Sequence, residues 1–344
     1  MATHSSGAGA KLADYDFSDL YLAAPNTGFF PRIRGFRALD SREMGSDGLR
    51  KVPGDLLGDA RELYAQMLRF YAGNGFYNEF RFSYDGVFYR VSVMDRAPGT
   101  YVAPTDRTVD EKSRRWHLRR LTSRVPEIED LRFPSYLPAE LRSLATARGL
   151  LLVAGAYGSG KSTTCGVSLV DWVQTEGEMA VTIEDPPELP LEGEYESGGL
   201  IVQVEVQEDD FASAVRASRR WAPRYVMLGE VRSQKSASEL IQLATGGPMV
   251  VTTIHGTSVI DAIINLVRFA SEEMGTELAT QLLAAGLRGV LHQEKLHGRV
   301  SPTFLKVGGN QASGIQQKIR SGRYSAIVDD INLQRTLFSK GERF

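Results

Sequence analysis

One short segment limits the folds open to this chain more than any other feature. An apolar run, Leu150 to Ala154, leads directly into GAYGSGKS at residues 155–162, which matches the pattern G-x-x-x-x-G-K-[ST]. The pattern works when a strand precedes the loop and a helix follows it, because loop N–H groups and the helix start then face one anion. We therefore predict an α/β fold with a phosphate-binding loop.

The residue types in this loop suit a nucleoside triphosphate. Glycines let the backbone turn its N–H groups inward, Lys161 supplies a cation for the β- and γ-phosphates, and Ser162 supplies a hydroxyl for Mg²⁺. A glycine turn with a surface lysine is the alternative, which the strand-loop-helix context disfavours. We predict ATP and Mg²⁺ as ligands. The predicted nucleotide-binding residues are Gly155, Gly158, Ser159, Gly160, Lys161, Ser162 and Thr163.

The two parts of the chain differ in pattern. Apolar segments alternate with helical patterns in the second part (LLLVAG, MAVTIED, LIVQVEV, RYVMLGE, MVVTTIH), which is typical of a mainly parallel sheet with helices on both faces. The first part contains a helical stretch, Gly58 to Tyr71, and a hairpin around Asp85-Gly86, which indicate a smaller α+β domain. We expect a flexible tail over residues 1–12, an N-terminal domain with its connector over 13–135, and the α/β domain over 136–344.

Three further strands end in residues that suit phosphate chemistry. Glu184 and Glu230 each follow an apolar strand, and His255 follows a third. A carboxylate there can hold a Mg²⁺-bound water or deprotonate the attacking water, and a histidine can sense the γ-phosphate. Taken singly, each has a simpler interpretation: the glutamates as solvated surface acids, and the histidine as a side chain held by local hydrogen bonds. Together with Lys161 they form a predicted catalytic set, with Glu230 as a second candidate Mg²⁺ ligand.

Composition sets aside several classes of protein. The 40 Lys and Arg nearly cancel the 42 Asp and Glu, so the net charge of −2 and the lack of an aromatic-basic stripe disfavour nucleic acid as the main ligand. The single cysteine, Cys165, predicts a reducing, cytosolic setting. No apolar run approaches the roughly 20 residues that a membrane helix needs, and the N-terminus does not resemble a secretory signal. We therefore expect a cytoplasmic protein without a transmembrane span.

The motifs GAYGSGKST, TIEDP, VMLGEVR and TTIHGTS, in this order, resemble the secretion-ATPase superfamily of PilT, GspE and the VirB-type ATPases. SDLYLA with PRIRGF resembles its PAS-like N-terminal domain, and SGIQQKIRSGR its C-terminal helix motif. Within this superfamily, the segments ATGGPMVVTTIH and APRYVMLGEVR are most similar to the DotB and TraJ branch, which serves type IVB secretion and IncI-type conjugation.

This resemblance implies a RecA-like P-loop domain, preceded by the PAS-like domain, in a hexameric ring. It implies that Glu184 is a candidate general base, Glu230 the Walker B acid and His255 the histidine-box residue. It also implies that N-domain arginines complete a nucleotide site, for which the candidates by position are Arg90, Arg119 and Arg120. The implied partners are components of a secretion, conjugation or pilus complex at the cytoplasmic face of the inner membrane.

The leading hypothesis is therefore a Mg²⁺-dependent ATPase that powers such a machine. One alternative is a nucleotide-gated docking scaffold that scarcely hydrolyses ATP, and another is a nucleic-acid translocase. A small-molecule kinase is the weakest of the alternatives, because the sequence contains no motif for an acceptor pocket.

Overall fold

The computed structural model describes residues 10–23, 30–38, 48–73, 79–94, 115–206, 210–296, 299–308 and 312–341. The chain divides into two compact units, Met1–Ser123 and Arg124–Phe344. This division falls earlier than the predicted boundary between residues 135 and 136. The physical reason is Ile128, which is buried in the same apolar cluster as Leu141 and Trp172 of the second unit. Part of the predicted connector is therefore packed into the second unit.

The first unit consists of one long helix and short strands. Its elements are β1 (Tyr15–Asp16), β2 (Asp19–Ala23), β3 (Arg32–Arg34), β4 (Arg37–Ala38), β5 (Leu49–Lys51), α1 (Leu57–Gly73), β6 (Glu79–Tyr84), β7 (Val87–Val93) and β8 (Arg115–Arg120). Six of these strands form an antiparallel sheet in the order β5-β3-β2-β8-β7-β6, and β1 pairs with β4. The helix and the hairpin predicted here are both confirmed. Asp85 and Gly86 both have positive φ, as a two-residue hairpin turn of the primed type requires.

Strand β8 carries three arginines, yet it is an inner strand of this sheet. β8 lies between β2 and β7 within the sheet, and its Trp116 and Leu118 are fully buried. These two residues alternate with His117 and Arg119, which face the other side of the sheet. Buried and more exposed residues thus alternate along β8, which is typical of a half-buried strand, but the arginines make this alternation difficult to recognise in the sequence.

The predicted tail over residues 1–12 is also too long. Leu12 is fully buried in the core of the first unit, and its N–H donates to Asp59 Oδ2 at 2.7 Å. Tyr84 donates its hydroxyl to the other oxygen of the same carboxylate at 2.7 Å. The chain is therefore anchored by Leu12, while residues 1–9 of the predicted tail lie outside the described residues.

The second unit alternates strands and helices as predicted. Its helices are α2 (Tyr136–Ser143), α3 (Lys161–Glu176), α4 (Phe211–Ser218), α5 (Gln234–Gly246), α6 (Val259–Met274), α7 (Thr276–Gly286), α8 (Ala312–Arg320) and α9 (Ile327–Ser339). Its strands are β9 (Gly149–Gly155), β10 (Met179–Glu184), β11 (Gly193–Glu194), β12 (Leu200–Glu205), β13 (Tyr225–Leu228), β14 (Met249–Ile254), β15 (Leu287–Leu296) and β16 (Arg299–Lys306).

These strands form one sheet in the order β11-β12-β10-β13-β14-β9-β15-β16. The strands from β12 to β15 in this order pair in parallel, and the two edge strands pair antiparallel. Strands β9 and β14 are buried along their whole length, because apolar clusters cover both faces of the sheet. None of the described helices is long and apolar enough to cross a membrane.

Candidate functional site

The predicted site residues of the second unit lie along one edge of the sheet. β9, β10, β13 and β14 run parallel, so their carboxyl ends meet at that edge. The glycine-rich loop follows β9, Glu184 ends β10, Glu230 follows β13 after one glycine, and His255 follows β14 directly. Residues far apart in sequence are thus brought together by the topology, as the strand-end pattern predicted.

The glycine-rich loop has the backbone that its sequence requires. Gly155 has φ 151°, and a Cβ there would lie 2.3 Å from the carbonyl oxygen of Gln293. Gly158 has φ 71° but has open space around it. Helix α3 begins at Lys161, directly after Gly160 in the left-handed conformation. The loop therefore wraps in front of a helix N-terminus, which is the geometry that attracts phosphate.

Lys161 is folded back onto the loop. Its Nζ donates to the carbonyl oxygens of Gly155 and Ala156 at 3.1 and 3.0 Å. Burial lowers the pKa of this ammonium from its ordinary value, and the nearby charge of Glu230 opposes that shift. An anion bound in the loop would take the place of the two carbonyl oxygens as the hydrogen-bond acceptor of Lys161. A buried ammonium interacts more strongly with a full negative charge than with carbonyl dipoles.

Glu230 and His255 form a direct pair. His255 Nε2 lies 2.8 Å from Glu230 Oε1, and Arg232 Nε donates to Glu230 Oε2 at 2.7 Å. Both oxygens of this carboxylate are therefore engaged. Of the arginines that flank β13 in sequence, Arg232 contacts the site, whereas Arg216 pairs with Glu239 at 3.0 Å. The pair fixes both the Glu230 carboxylate and the His255 ring.

Tyr157, in the middle of the loop, is a site residue that sequence reasoning missed. Its ring stacks on the ring of His255, with centroids 5.0 Å apart, although its residue is 77% exposed. Lys161 Nζ also lies 6.0 Å from the Tyr157 centroid. Tyr157 occupies one of the four variable positions of the loop pattern, so the pattern itself assigns it no role. The signal available in the sequence was a large aromatic residue among the small residues of the loop.

Glu184 has a different environment from Glu230. It is only 3% exposed, and it accepts a hydrogen bond from Gln203 Nε2 at 3.0 Å. Burial raises the pKa of its carboxyl above the ordinary value. Gly229 lies beside it, where a Cβ would approach Glu184 Cγ to 3.4 Å. The two acids thus have different surroundings: Glu184 is a buried carboxylate beside a neutral amide, and Glu230 is a carboxylate held by a guanidinium and an imidazole.

The donor groups of the loop fit a phosphate chain with its magnesium ion. Gly155 leaves no room for a side chain, and the buried hydroxyl of Ser159 has no partner among the described residues. Ser162, on the first turn of α3, offers the oxygen ligand that Mg²⁺ prefers. Among the described residues no group of three or more His, Cys, Asp or Glu is placed to hold a metal. Mg²⁺ commonly takes only one or two protein ligands when phosphates supply the rest.

The three N-domain arginines are all engaged within the first unit. Arg90 pairs with Glu79 at 2.7 Å, and Arg119 Nε donates to Asp19 Oδ1 at 3.1 Å. Arg120 donates to the carbonyl oxygens of Tyr15, Leu12 and Ala13, and its guanidinium lies over the ring of Phe17. Arg119 has the most exposed side chain of the pairs just described, at 56%. Their predicted contact with nucleotide stays a prediction.

The sheet register of the first unit produces a basic row that the sequence analysis did not find. Arg81, Arg90, Arg119, Asp19 and Arg34 are directly opposite one another on successive strands. Phe88 borders this row, since the Arg81 guanidinium lies 4.0 Å from the centroid of its ring, and Asp19 separates Arg119 from Arg34 within it. Residues distant in sequence become neighbours only through strand pairing.

The fold and site define an α/β protein with a phosphate-binding loop. The chain matches the family of type II/IV secretion system proteins over residues 113–319, which is more than half of its length, and it therefore belongs to that family. This confirms the predicted superfamily. A relative is the type IV pilus ATPase PilU of Pseudomonas aeruginosa, which is 31% identical over 156 residues, covering 44% of this chain and 39% of PilU.

Solved structures give the same result for the fold. The pilus retraction motor PilT with bound ADP is similar with a TM-score of 0.64 and 26% identity, covering 91% of this chain and 84% of PilT. The Legionella pneumophila ATPase DotB gives a TM-score of 0.62 and 20% identity, with 91% and 84% covered. The predicted α/β fold is confirmed. The chain spans about half or less of the length of the curated relatives it matches.

Proposed function

We propose that this protein is a Mg²⁺-dependent ATPase in which the glycine-rich loop binds ATP and the sheet edge activates the attacking water. The observation that carries the proposal is the gathering of Lys161, Glu230 and His255 at one edge, with Glu230 and His255 2.8 Å apart. PilT, a similar protein, was solved with bound ADP. Mg²⁺, held by Ser162 and by Glu230 through water, would neutralise charge on the phosphates.

Glu184 is the better candidate for the general base. A base needs a free lone pair, and both oxygens of Glu230 are bound to cationic or N–H groups. The groups that hydrogen-bond Glu184, among them the Gln203 amide, are neutral, and burial raises the pKa of this carboxyl toward the range where a carboxylate accepts protons effectively. Glu230 then positions His255 and the magnesium-bound water, and His255 senses the γ-phosphate.

The larger assembly belongs to the same proposal. Family membership and the likeness to PilT and DotB support a RecA-like domain in a hexameric ring, preceded by a PAS-like domain. The ring would power a type IV secretion, conjugation or pilus machine from the cytoplasmic face of the inner membrane. Arg90, Arg119 and Arg120 are proposed to complete a nucleotide site, with Arg119 favoured by its exposure.

The decisive experiment removes the ammonium of Lys161. We expect Lys161→Ala to lower ATP hydrolysis by about 100-fold or more, since the loss of one donor at a charged transition state has effects of this size. Phosphate release by the purified full chain measures this. Lys340→Ala is the matched control, because Lys340 is an exposed lysine of the same unit. Normal hydrolysis by Lys161→Ala would overturn the proposal.

One observation favours a nucleotide-gated docking scaffold as a second candidate. In the structure, Lys161 is bonded to its own loop, and Glu230 is bonded to His255 and Arg232. These bonds must break before Lys161 and Glu230 can contact ATP and Mg²⁺. Such a rearrangement is compatible with slow turnover and with a switch that depends on bound nucleotide. Comparing ATP binding with phosphate release separates the two, because a scaffold binds ATP at ordinary affinity with turnover near zero even in the assembled complex.

A further inference from the structure

A cavity lies on the side of the eight-stranded sheet opposite to the glycine-rich loop. Its volume is about 700 Å³, which is within the range of roughly 300–1,000 Å³ typical of small-molecule sites. Four lining residues each directly precede a parallel strand: Arg148 before β9, Glu178 before β10, Arg224 before β13 and Pro248 before β14. The cavity is therefore built on the amino ends of the strands.

This cavity is separate from the glycine-rich loop. β9 begins at Gly149, beside the cavity, and ends at Gly155, in the loop. At about 3.3 Å per residue the strand places the two sites about 20 Å apart. A ligand bound at the amino edge would therefore leave the loop open.

The charge of the lining selects an anion. Arg148, Arg219 and Arg224 face a single acid, Glu178, in the lining. Arg219 is already paired with Glu239 at 3.2 Å, but Arg148 makes no hydrogen bond or ion pair among the described residues. With both acids counted, one positive charge remains in excess. An arginine without an acidic partner beside a cavity is a ready ligand for phosphate or carboxylate oxygens.

Arg224 is held in place for such a role. Its Nη2 donates to the carbonyl oxygens of Ala145 and Ala147, both at 2.9 Å. Its Nη1 is buried and has no hydrogen-bond partner among the described residues. A buried guanidinium nitrogen without an acceptor costs free energy, which a bound anion would recover after a small side-chain shift. Arg148 and Arg224 together offer more donors than one carboxylate accepts, which favours phosphate.

The remaining lining suits the body of an organic molecule. Leu243, Leu282 and Pro223 supply apolar surface. Ala222 lies beside Pro223 and extends this apolar part of the lining. The lining thus combines cations for a phosphate with apolar surface for an organic body.

We propose that this amino-edge cavity binds a small phosphate ester with an organic body, such as a nucleoside monophosphate, independently of the glycine-rich loop. Arg148 and Arg224 hold the phosphate group, and the apolar surface of Pro223, Leu243 and Leu282 holds the organic body.

The test is a calorimetric titration of 5′-AMP into the full chain carrying Lys161→Ala, so that the glycine-rich loop does not contribute. We expect one AMP per chain, and affinity at least 10-fold lower when Arg148→Gln is added. Arg320→Gln is the control, because Arg320 is exposed and does not line the cavity. Absence of AMP binding to the Lys161→Ala chain, or equal binding with Arg148→Gln, would overturn the proposal whatever the loop does.

Two further measurements sharpen the result. Arg224→Gln should also weaken AMP binding, but its bonds to Ala145 and Ala147 make folding part of the outcome, so its melting temperature is measured first. If this variant does not fold, Arg148→Gln decides the question, because Arg148 is exposed and unbonded. Inorganic phosphate is titrated in parallel: binding at least 10-fold weaker than AMP supports an organic body, and equal affinity contradicts that assignment.

Discussion

At the scale of single residues, Glu184 shows how function and stability oppose each other. Its carboxyl is buried at the end of β10 and accepts a hydrogen bond from the neutral Gln203 amide, and the burial penalises ionisation in the folded state. Water outside the protein would solvate the same charge fully. A residue kept at such a position despite the penalty is a candidate for chemistry, because structure alone would be better served by a neutral side chain.

We expect Glu184→Gln to raise the melting temperature at neutral pH while lowering ATP hydrolysis. The folded-state pKa is raised above the ordinary 4.5, so the penalty on the charged form is full above the folded pKa and disappears below 4.5. The increase in melting temperature caused by Glu184→Gln should therefore become smaller as the pH falls through the folded-state pKa toward 4.5. Calorimetry from pH 4.5 to 8 measures the two melting temperatures. Each kcal/mol of added unfolding free energy should raise the melting temperature by about 2–4 °C.

The control is Glu194→Gln, which removes an exposed carboxyl on strand β11 of the same sheet. It should change the melting temperature little. A gain for Glu184→Gln that stays constant over the pH range would mean that packing, rather than removal of a buried charge, stabilises the variant.

Tyr157 gives a second prediction at this scale. Its ring holds the His255 ring by stacking, an interaction worth about 0.5–1.5 kcal/mol, or about 2- to 12-fold in rate if it positions His255 for the reaction. We expect Tyr157→Ala to lower kcat by this factor with little change in melting temperature, because Tyr157 is 77% exposed. Tyr157→Phe keeps the ring and should retain kcat. Equal loss in both variants would assign the effect to the hydroxyl instead.

At the scale of elements, the glycine-rich loop depends unequally on its glycines. A Cβ at Gly155 would lie 2.3 Å from the backbone oxygen of Gln293 on β15, and this backbone cannot move without disturbing the sheet. Gly158 has a positive φ but nothing within 4 Å of its Cβ position. Gly155 is therefore needed because the loop packs closely against the sheet. Gly158 is needed only because its backbone has a positive φ.

We expect Gly158→Ala to cost about 1–2 kcal/mol, the usual penalty for a left-handed residue, and Gly155→Ala to cost clearly more. Urea unfolding of the two variants measures the difference, with ATP binding as a second readout. Gly314→Ala, in open space on α8 and without a positive φ, is the control and should not destabilise the chain. Equal costs at Gly155 and Gly158 would mean that the loop and β15 separate easily.

At the scale of the whole molecule, the two units have separate cores. The cluster around Trp116 belongs to the first unit, and the clusters on the two faces of the large sheet belong to the second. The loop, Glu184, Glu230 and His255 all lie within Arg124–Phe344. The proposed ATP-binding residues of that unit therefore do not need the first unit for their own positions.

We expect a fragment of residues 124–344 to fold cooperatively and to bind ATP, because its core and loop are complete. The proposed role of the N-domain arginines predicts that its turnover falls at least 10-fold below that of the full chain. Thermal unfolding, nucleotide titration and phosphate release measure these properties. Full turnover by the fragment would remove Arg90, Arg119 and Arg120 from the reaction.

The sequence by itself determined the α/β class, the phosphate loop and three strand-end residues, because each rests on local patterns: apolar runs, turn residues and a motif of fixed spacing. Only the tertiary structure decided that Tyr157 stacks on His255, that both Glu230 oxygens are bound, that β8 is an inner strand and that arginines line the amino-edge cavity. These features depend on strand order and register, which bring together residues far apart in the chain, and no local pattern specifies them.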